Sequence, residues 1–207
     1  MVLKLREEPR AVTSHTAILT RHPETHTDAV RGIEARVSWI DGGALAFTYT
    51  LKGDLSRIRI PAPREPRRAD RLWEQTCFEA FVSENDKPEY YELNFAPSGE
   101  WAFYAFRRYR ERAGLVEGEP APTITVRETG GSFELDAVMG LDRLPMIGPG
   151  AHIRLALSSV IEDDRGMLSY WALKHPSGKP DFHHPDGFAL ELEPPGRNAV
   201  NESAGKR

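Results

Sequence analysis

The strongest constraint on the fold lies between Asp70 and Tyr109, in the run DRLWEQTCFEAFVSENDKPEYYELNFAPSGEWAFYAFRRY. Its apolar residues recur at a period of two. Side chains of a strand point alternately to opposite faces, so this run predicts strands whose two faces differ in chemistry. Three strands are expected, at 73–83, 90–96 and 101–107. Asn85-Asp86-Lys87-Pro88 separates the first pair and Pro97-Ser98-Gly99 the second. Asn and Asp tolerate turn geometry, and Pro cannot continue a ladder. Phe78, Ala80 and Val82 share one face with Tyr91, Leu93 and Phe95 of the next strand. The opposite face carries Trp73, Gln75, Cys77 and Glu79, then Tyr90, Glu92 and Asn94.

The same alternation runs through the rest of the chain. Strands are expected at 16–22, 33–39, 44–51 and 58–60, and again from 124, 133, 153, 168 and 188. Asp41-Gly42-Gly43 is a hairpin signal. The segment 61–71 must be a loop, because its prolines defeat both ladder and helix. Its arginines, Arg64, Arg67, Arg68 and Arg71, are expected to serve solvation. RRYRERAG, at 107–114, could form one helical turn closed by Gly114, and 141–144 another before Pro145. No amphipathic helix of a dozen residues and no internal repeat is present. The expectation is therefore all-β: one antiparallel β-sandwich of immunoglobulin-like form over 1–193, with a barrel as the alternative. Residues 194–207, PPGRNAVNESAGKR, lack a core pattern and are expected to be a disordered tail.

Composition narrows the partners. A net charge of −4 suggests neither nucleic acid nor an anionic membrane surface. No apolar run reaches the roughly 20 residues that span a bilayer. No signal peptide is evident, and Cys77 is the single cysteine, so no intrachain disulfide forms and a cytoplasmic location is expected. Phosphate loops are absent, because 148–150 and 177–179 lack the strand–loop–helix setting.

Three stretches taken together resemble a known family: LWEQTCFEAFV, YYELNFAPSGEW and SYWALKHPSGKPDFHHPDGF. They resemble the DOMON-like β-sandwich proteins, and more narrowly the branch related to carbohydrate-binding module family 9. The resemblance covers most of 15–192 and rests on the order and spacing of the three stretches. It implies a non-catalytic module that clamps a terminal sugar between two tryptophans, with charged side chains on its hydroxyls. Carried onto this sequence, the tryptophans are Trp73 and Trp171, the acidic contacts Asp70 and Glu79, and the arginines Arg107 or Arg108. The resemblance also allows calcium.

The residues themselves leave alternatives open. An exposed indole packs on the C–H face of a pyranose while carboxylates and amides bind its hydroxyls. Glu92 and Asn94 share the face of Glu79 and are candidate contacts. Those tryptophans could instead be core, and those carboxylates solvated, or paired as in a glycosidase. His175, Asp181, His183, His184 and Asp186 offer imidazole and carboxylate donors for zinc or another transition metal, at a spacing that matches no established metal pattern. The resemblance to DOMON-like proteins, some of which hold haem through axial side chains, would nominate Met146, Met167 or His183, and nothing in the sequence favours any of them. An interaction domain using the same face is a further alternative.

Overall fold

The computed structural model describes residues 11–40, 43–114, 121–141, 144–148 and 150–194. The expected tail, apart from Pro194, lies outside them, as do Asp41 and Gly42 of the first hairpin and 142–143 of the expected turn.

Two antiparallel sheets are joined through one strand. In the first sheet, β1 (Ala11–Arg21) pairs with β2 (Val30–Ile40), then β3 (Ala44–Gly53), β9 (Ser132–Gly140) and β8 (Thr123–Thr129). The second sheet starts at β7 (Glu111–Arg112). It continues through β6 (Trp101–Arg108), β5 (Tyr90–Phe95), β4 (Cys77–Glu84), β10 (Ile153–Glu162) and β11 (Leu168–Ala172). The last strand, β12 (Leu190–Leu192), lies beside β10 below β11. Thr20 and Arg21 carry β1 across to pair with β11, so the sandwich closes along one side by a shared strand.

The core sits between the sheets. Phe47 meets Phe95 with ring centroids 5.6 Å apart, and Tyr49 meets Phe78 at 5.1 Å. The Tyr49 hydroxyl donates to the Glu79 carbonyl at 2.7 Å and thereby satisfies itself inside the core. A methyl group on Gly53 would meet the Ala29 carbonyl oxygen at 2.3 Å, so only glycine lets the turn before β2 close onto the end of β3.

The second sheet is covered on both sides. Its outer face holds a smaller apolar cluster that includes Leu72, Phe81, Tyr90, Tyr104 and Phe106, with Trp73, Phe182 and Phe188 packed against it. This is why β5 is buried along its whole length, polar residues included. Two loops supply the cover. One is the proline-rich segment before β4, tied to the β5–β6 turn by Arg64 N–H to the Ser98 carbonyl, and to β6 by a bridge between Arg68 and Trp101. The other runs from Leu173 to Ala189 and contains a 3-10 turn at Pro185–Gly187.

Three local expectations change. The arginines expected to serve solvation are paired: Arg64 and Arg67 with buried Glu100, Arg68 with Asp70, Arg71 with Glu74. The 107–114 segment forms no helical turn; it folds back through Tyr109 and Arg110 so that β7 pairs with β6. The expected strand at 58–60 reduces to one bridge, Ile58 with Asp163, after a 3-10 turn at Leu55–Arg57.

Candidate functional site

On the outer face of the second sheet, beneath those loops, lies a pocket of about 310 Å³. That is at the lower end of volumes used for small ligands. Its floor is the sheet: Glu79 and Phe81 from β4, Glu92 from β5, Val160 from β10 and Tyr170 from β11. Trp73, Phe182 and His183 come from the loops, and Arg110 and Arg112 from the β6–β7 hairpin.

Register explains the floor. Glu79 lies opposite Asn94 and Phe81 opposite Glu92, so the two glutamates are diagonal neighbours on one face. On the other side of β4, Ser158 pairs with Glu79. Asn94 is fully buried on the same face beside Glu79, where its Nδ2 donates to Glu92 Oε1 at 2.8 Å and its Oδ1 accepts the Cys77 thiol at 3.6 Å. Neither carboxyl is solvated: Glu79 is 3% exposed and Glu92 5%. Burial, and then repulsion from Glu92, pushes the Glu79 carboxyl well above the ordinary range. Burial also raises Glu92, against the bond from Asn94 and the fields of Arg112 and Arg110. The Oε1 of Glu79 and the hydroxyl of Ser158 are buried with no hydrogen-bond partner among the described residues.

The walls are held firmly. Trp73 sits on a 3-10 turn, Leu72–Glu74, and not on the strand expected there. Arg71 enters that turn in the left-handed region, at φ 64°, with its guanidinium bonded to Glu74. The indole meets Tyr104 edge-on at 5.8 Å. Arg110, at φ 54°, also adopts a conformation unusual for a side chain of its size. Its N–H donates to the Tyr90 hydroxyl at 3.0 Å, and its guanidinium pairs with Asp181 at 2.8 Å. Arg112 stacks over Tyr104, 4.2 Å from the ring centroid.

His183 stands between two partners: its Nδ1 shares a hydrogen bond with the Tyr90 hydroxyl at 2.9 Å, and its Nε2 lies 3.6 Å from Glu92 Oε2. Burial, with Arg110 beside it, pushes the imidazole down to about 4, so this contact is not an ion pair near neutrality.

The expected site residues fare unequally. Trp73, Glu79 and Glu92 meet at the pocket, and Asn94, outside its lining, holds Glu92 from the side. Trp171 does not meet them. It is 6% exposed, belongs to the core between the sheets, and spends its indole N–H on Ser169 at 3.0 Å. The clamp between Trp73 and Trp171 is therefore corrected: strand parity turns Trp171 inward and Tyr170 outward. Asp70 lies outside the pocket lining, accepting from Tyr104 and pairing with Arg68. Arg107 and Arg108 are exposed beyond the pocket, Arg108 paired with Glu111. The arginines that line the pocket are Arg110 and Arg112, which sequence reasoning passed over because it read their segment as a helical turn. Tyr170, Phe81 and Phe182 were also passed over; the parity of Glu79 was signal enough to find Phe81.

The histidine loop disperses. His175 donates Nε2–H to the Thr20 carbonyl and packs on His22, His184 caps the 3-10 turn, and Asp181 binds Tyr109 and Arg110. Among the described residues, no three or more His, Cys, Asp or Glu side chains are grouped to hold a metal ion. Nor is Cys77 placed as a nucleophile: it is fully buried, and burial pushes its thiol well above the usual range.

Fold and site together define an all-β sandwich with an aromatic and carboxyl-lined pocket on the outer face of one sheet. No protein-family model matches the chain, and no curated protein matches it. Solved structures do. A protein from Bacteroides uniformis, provisionally described as carbohydrate-binding, superposes with a TM-score of 0.62 at 17% identity, over 83% of each chain. Two structures of a carbohydrate-binding module family 9 from Caldicellulosiruptor kristjanssonii are more distant. The glucose complex has a TM-score of 0.48 and 13% identity, over 82% of this chain and 78% of that one. The cellotriose complex has a TM-score of 0.47 and 14% identity, over 79% and 74%. The first likeness establishes the fold.

Proposed function

We propose that this chain is a non-catalytic binding module for a small saccharide or sugar-like polyol. The ligand lies in the pocket over the second sheet, against Trp73, with Tyr170 and Phe182 as further walls. Glu92, Arg110, Arg112 and His183 orient its hydroxyls. The observation that carries this reading is the pocket's composition: ring faces for C–H packing beside charged groups within one small volume. Hydrogen bonds to charged groups contribute roughly 1.5–3 kcal/mol each. A few of them plus ring packing reach micromolar affinity, about 8 kcal/mol.

The test is calorimetry with a panel of mono- and disaccharides, on the native chain and on Trp73→Ala. Saturable binding that the substitution weakens at least tenfold supports the reading. A panel without binding, or binding indifferent to Trp73, overturns it.

A second reading draws on one specific feature, the raised carboxyl of Glu79 beside Glu92. Two carboxyls whose environments shift them are also what acid–base chemistry on a glycoside needs. Turnover of nitrophenyl glycosides, abolished in Glu79→Gln, would replace the binding module by an enzyme.

A further inference from the structure

The pocket floor holds a carboxyl that the chain does not compensate. Glu79 is 3% exposed, its Oε1 receives no hydrogen bond, and among the described residues no ion pair reaches it. Its neighbour on the floor, Glu92, is a second acid. The arginines stand on the far side, where their fields act on Glu92 and His183. Ser158, beside Glu79 across the β4–β10 ladder, is likewise buried without a partner. The same pocket is lined by the rings of Trp73, Phe81, Phe106, Tyr170 and Phe182. Aromatic faces are electron-rich, and they attract a cation most strongly where water is excluded.

A neutral hydroxyl would supply one hydrogen bond to Glu79 and no charge to hold its carboxyl ionised. An ammonium group supplies three donors and the charge together. Resting on the saccharide reading above, we propose that the ligand is an amine-bearing sugar whose ammonium seats on Glu79, with Glu92 beside it and the rings as walls. N-acetylation of that amine removes both the charge and the fit.

Seating a cation there moves a proton. In the empty pocket burial and the neighbouring Glu92 favour the protonated form of Glu79. When an ammonium binds, the Glu79 O–H bond breaks heterolytically, the electron pair stays on the carboxylate, and the proton passes to buffer. Glu92, its neighbour on the floor, is also raised by burial and shares in this titration, while the other groups facing Glu79 stay silent. Cys77 on β4, Tyr170 on β11 and Tyr49 from the opposite sheet are all raised by burial, and His183 is held neutral with a pKa of about 4. Arg110, paired with Asp181, remains charged.

The experiment is titration calorimetry at pH 6 with glucosamine, galactosamine, their N-acetyl forms, glucose and galactose, run in phosphate and in imidazole buffer. The expected result is at least tenfold tighter binding of an amino sugar than of its parent and acetyl forms. Its heat should differ between buffers by an amount equal to up to one proton released per ligand. Glu79→Gln should abolish both the preference and the buffer dependence while leaving the melting temperature unchanged or higher. Equal binding of a parent hexose and its amino sugar, without buffer dependence, overturns the amine and leaves the saccharide reading standing. Absence of binding by every sugar overturns both. A preference that survives in Glu79→Gln overturns the assignment to that carboxyl.

Discussion

Tyr170 and Trp171 are consecutive on β11 and point to opposite sides of the sheet. The phenol enters the pocket, while the indole is buried in the core and bonded to Ser169. A shift of one residue in register exchanges these roles, because the side-chain period of a strand is two. The alternation of Glu79 with Phe78 and Ala80 on β4, read through the pairing with Ser158, already requires this assignment.

The two tryptophans should therefore behave differently on truncation. Trp171→Ala removes a core side chain and is expected to cost about 3–5 kcal/mol. Trp73→Ala removes a half-exposed ring on a turn and should cost less than about 2 kcal/mol. Its main effect is on ligand affinity. Chemical denaturation of both variants checks the contrast; equal losses would place Trp73 in the core as well.

Glu79 imposes a pH dependence opposite to that of a salt-bridged acid. Its folded pKa lies above the unfolded value of about 4.3, so between the two the native state holds the extra proton. Stability therefore falls as pH rises through that interval, by up to about 1.4 kcal/mol per pH unit for this group. Glu79→Gln should be more stable than the native chain at pH 7, with the difference shrinking towards pH 4. Denaturation midpoints across pH 4–8 measure it. A variant less stable at pH 7 would mean that the carboxylate is ionised and satisfied.

His183 shows the complementary sign. Its folded pKa of about 4 is below the unfolded value near 6.5, so the stability it confers is complete above 6.5 and is lost as pH falls through 4. Imidazole resonances followed by NMR should show His183 neutral at pH 5.5. A midpoint near 6 would mean that the imidazole is not desolvated beside Arg110.

Glu100 fastens the proline-rich loop. It is buried and accepts from Ser98, from Arg67 at 2.8 Å, and from Arg64. Arg67 above all holds its carboxyl below the ordinary range. The arginines are well exposed, which discounts the pairs, so Glu100→Ala should cost only about 1–2 kcal/mol. The sharper readout is limited proteolysis. Trypsin should cut after Arg64 or Arg67 much faster in the variant than in the native chain.

Gly53 has no room for a side chain. In Gly53→Ala the new methyl would lie 2.3 Å from the Ala29 carbonyl oxygen, and backbone cannot move as a flexible side chain does. A loss of roughly 1–3 kcal/mol is expected, the range for overpacked sites. An unchanged melting temperature would show that the Ala29 turn is free to shift.

Much of the fold was legible in the alternation. The strands at 73–107 were placed to within a few residues, the core face of β4 and β5 was right, and Glu79 and Glu92 were grouped correctly. The departures lie where local pattern and packing differ. Trp73 looked like the first residue of a strand, yet Arg71 turns the chain into a 3-10 turn before Cys77. RRYRERAG has a helix-like composition, and its backbone is claimed by β6 and by Tyr90. Arg110 and Arg112 reach the pocket only because of that hairpin.

The sequence by itself determined that the strands have two faces and which residues share each, because the geometry of an extended chain leaves no other choice. It could not determine what covers the outer face of the second sheet. Phe182 and His183 reach that face from about ninety residues beyond Glu92, and a contact between segments so far apart depends on packing, which local pattern does not encode. Only the tertiary structure turned two acids on a sheet face into buried groups whose pKa is raised, since the water around a carboxyl is removed by distant parts of the chain.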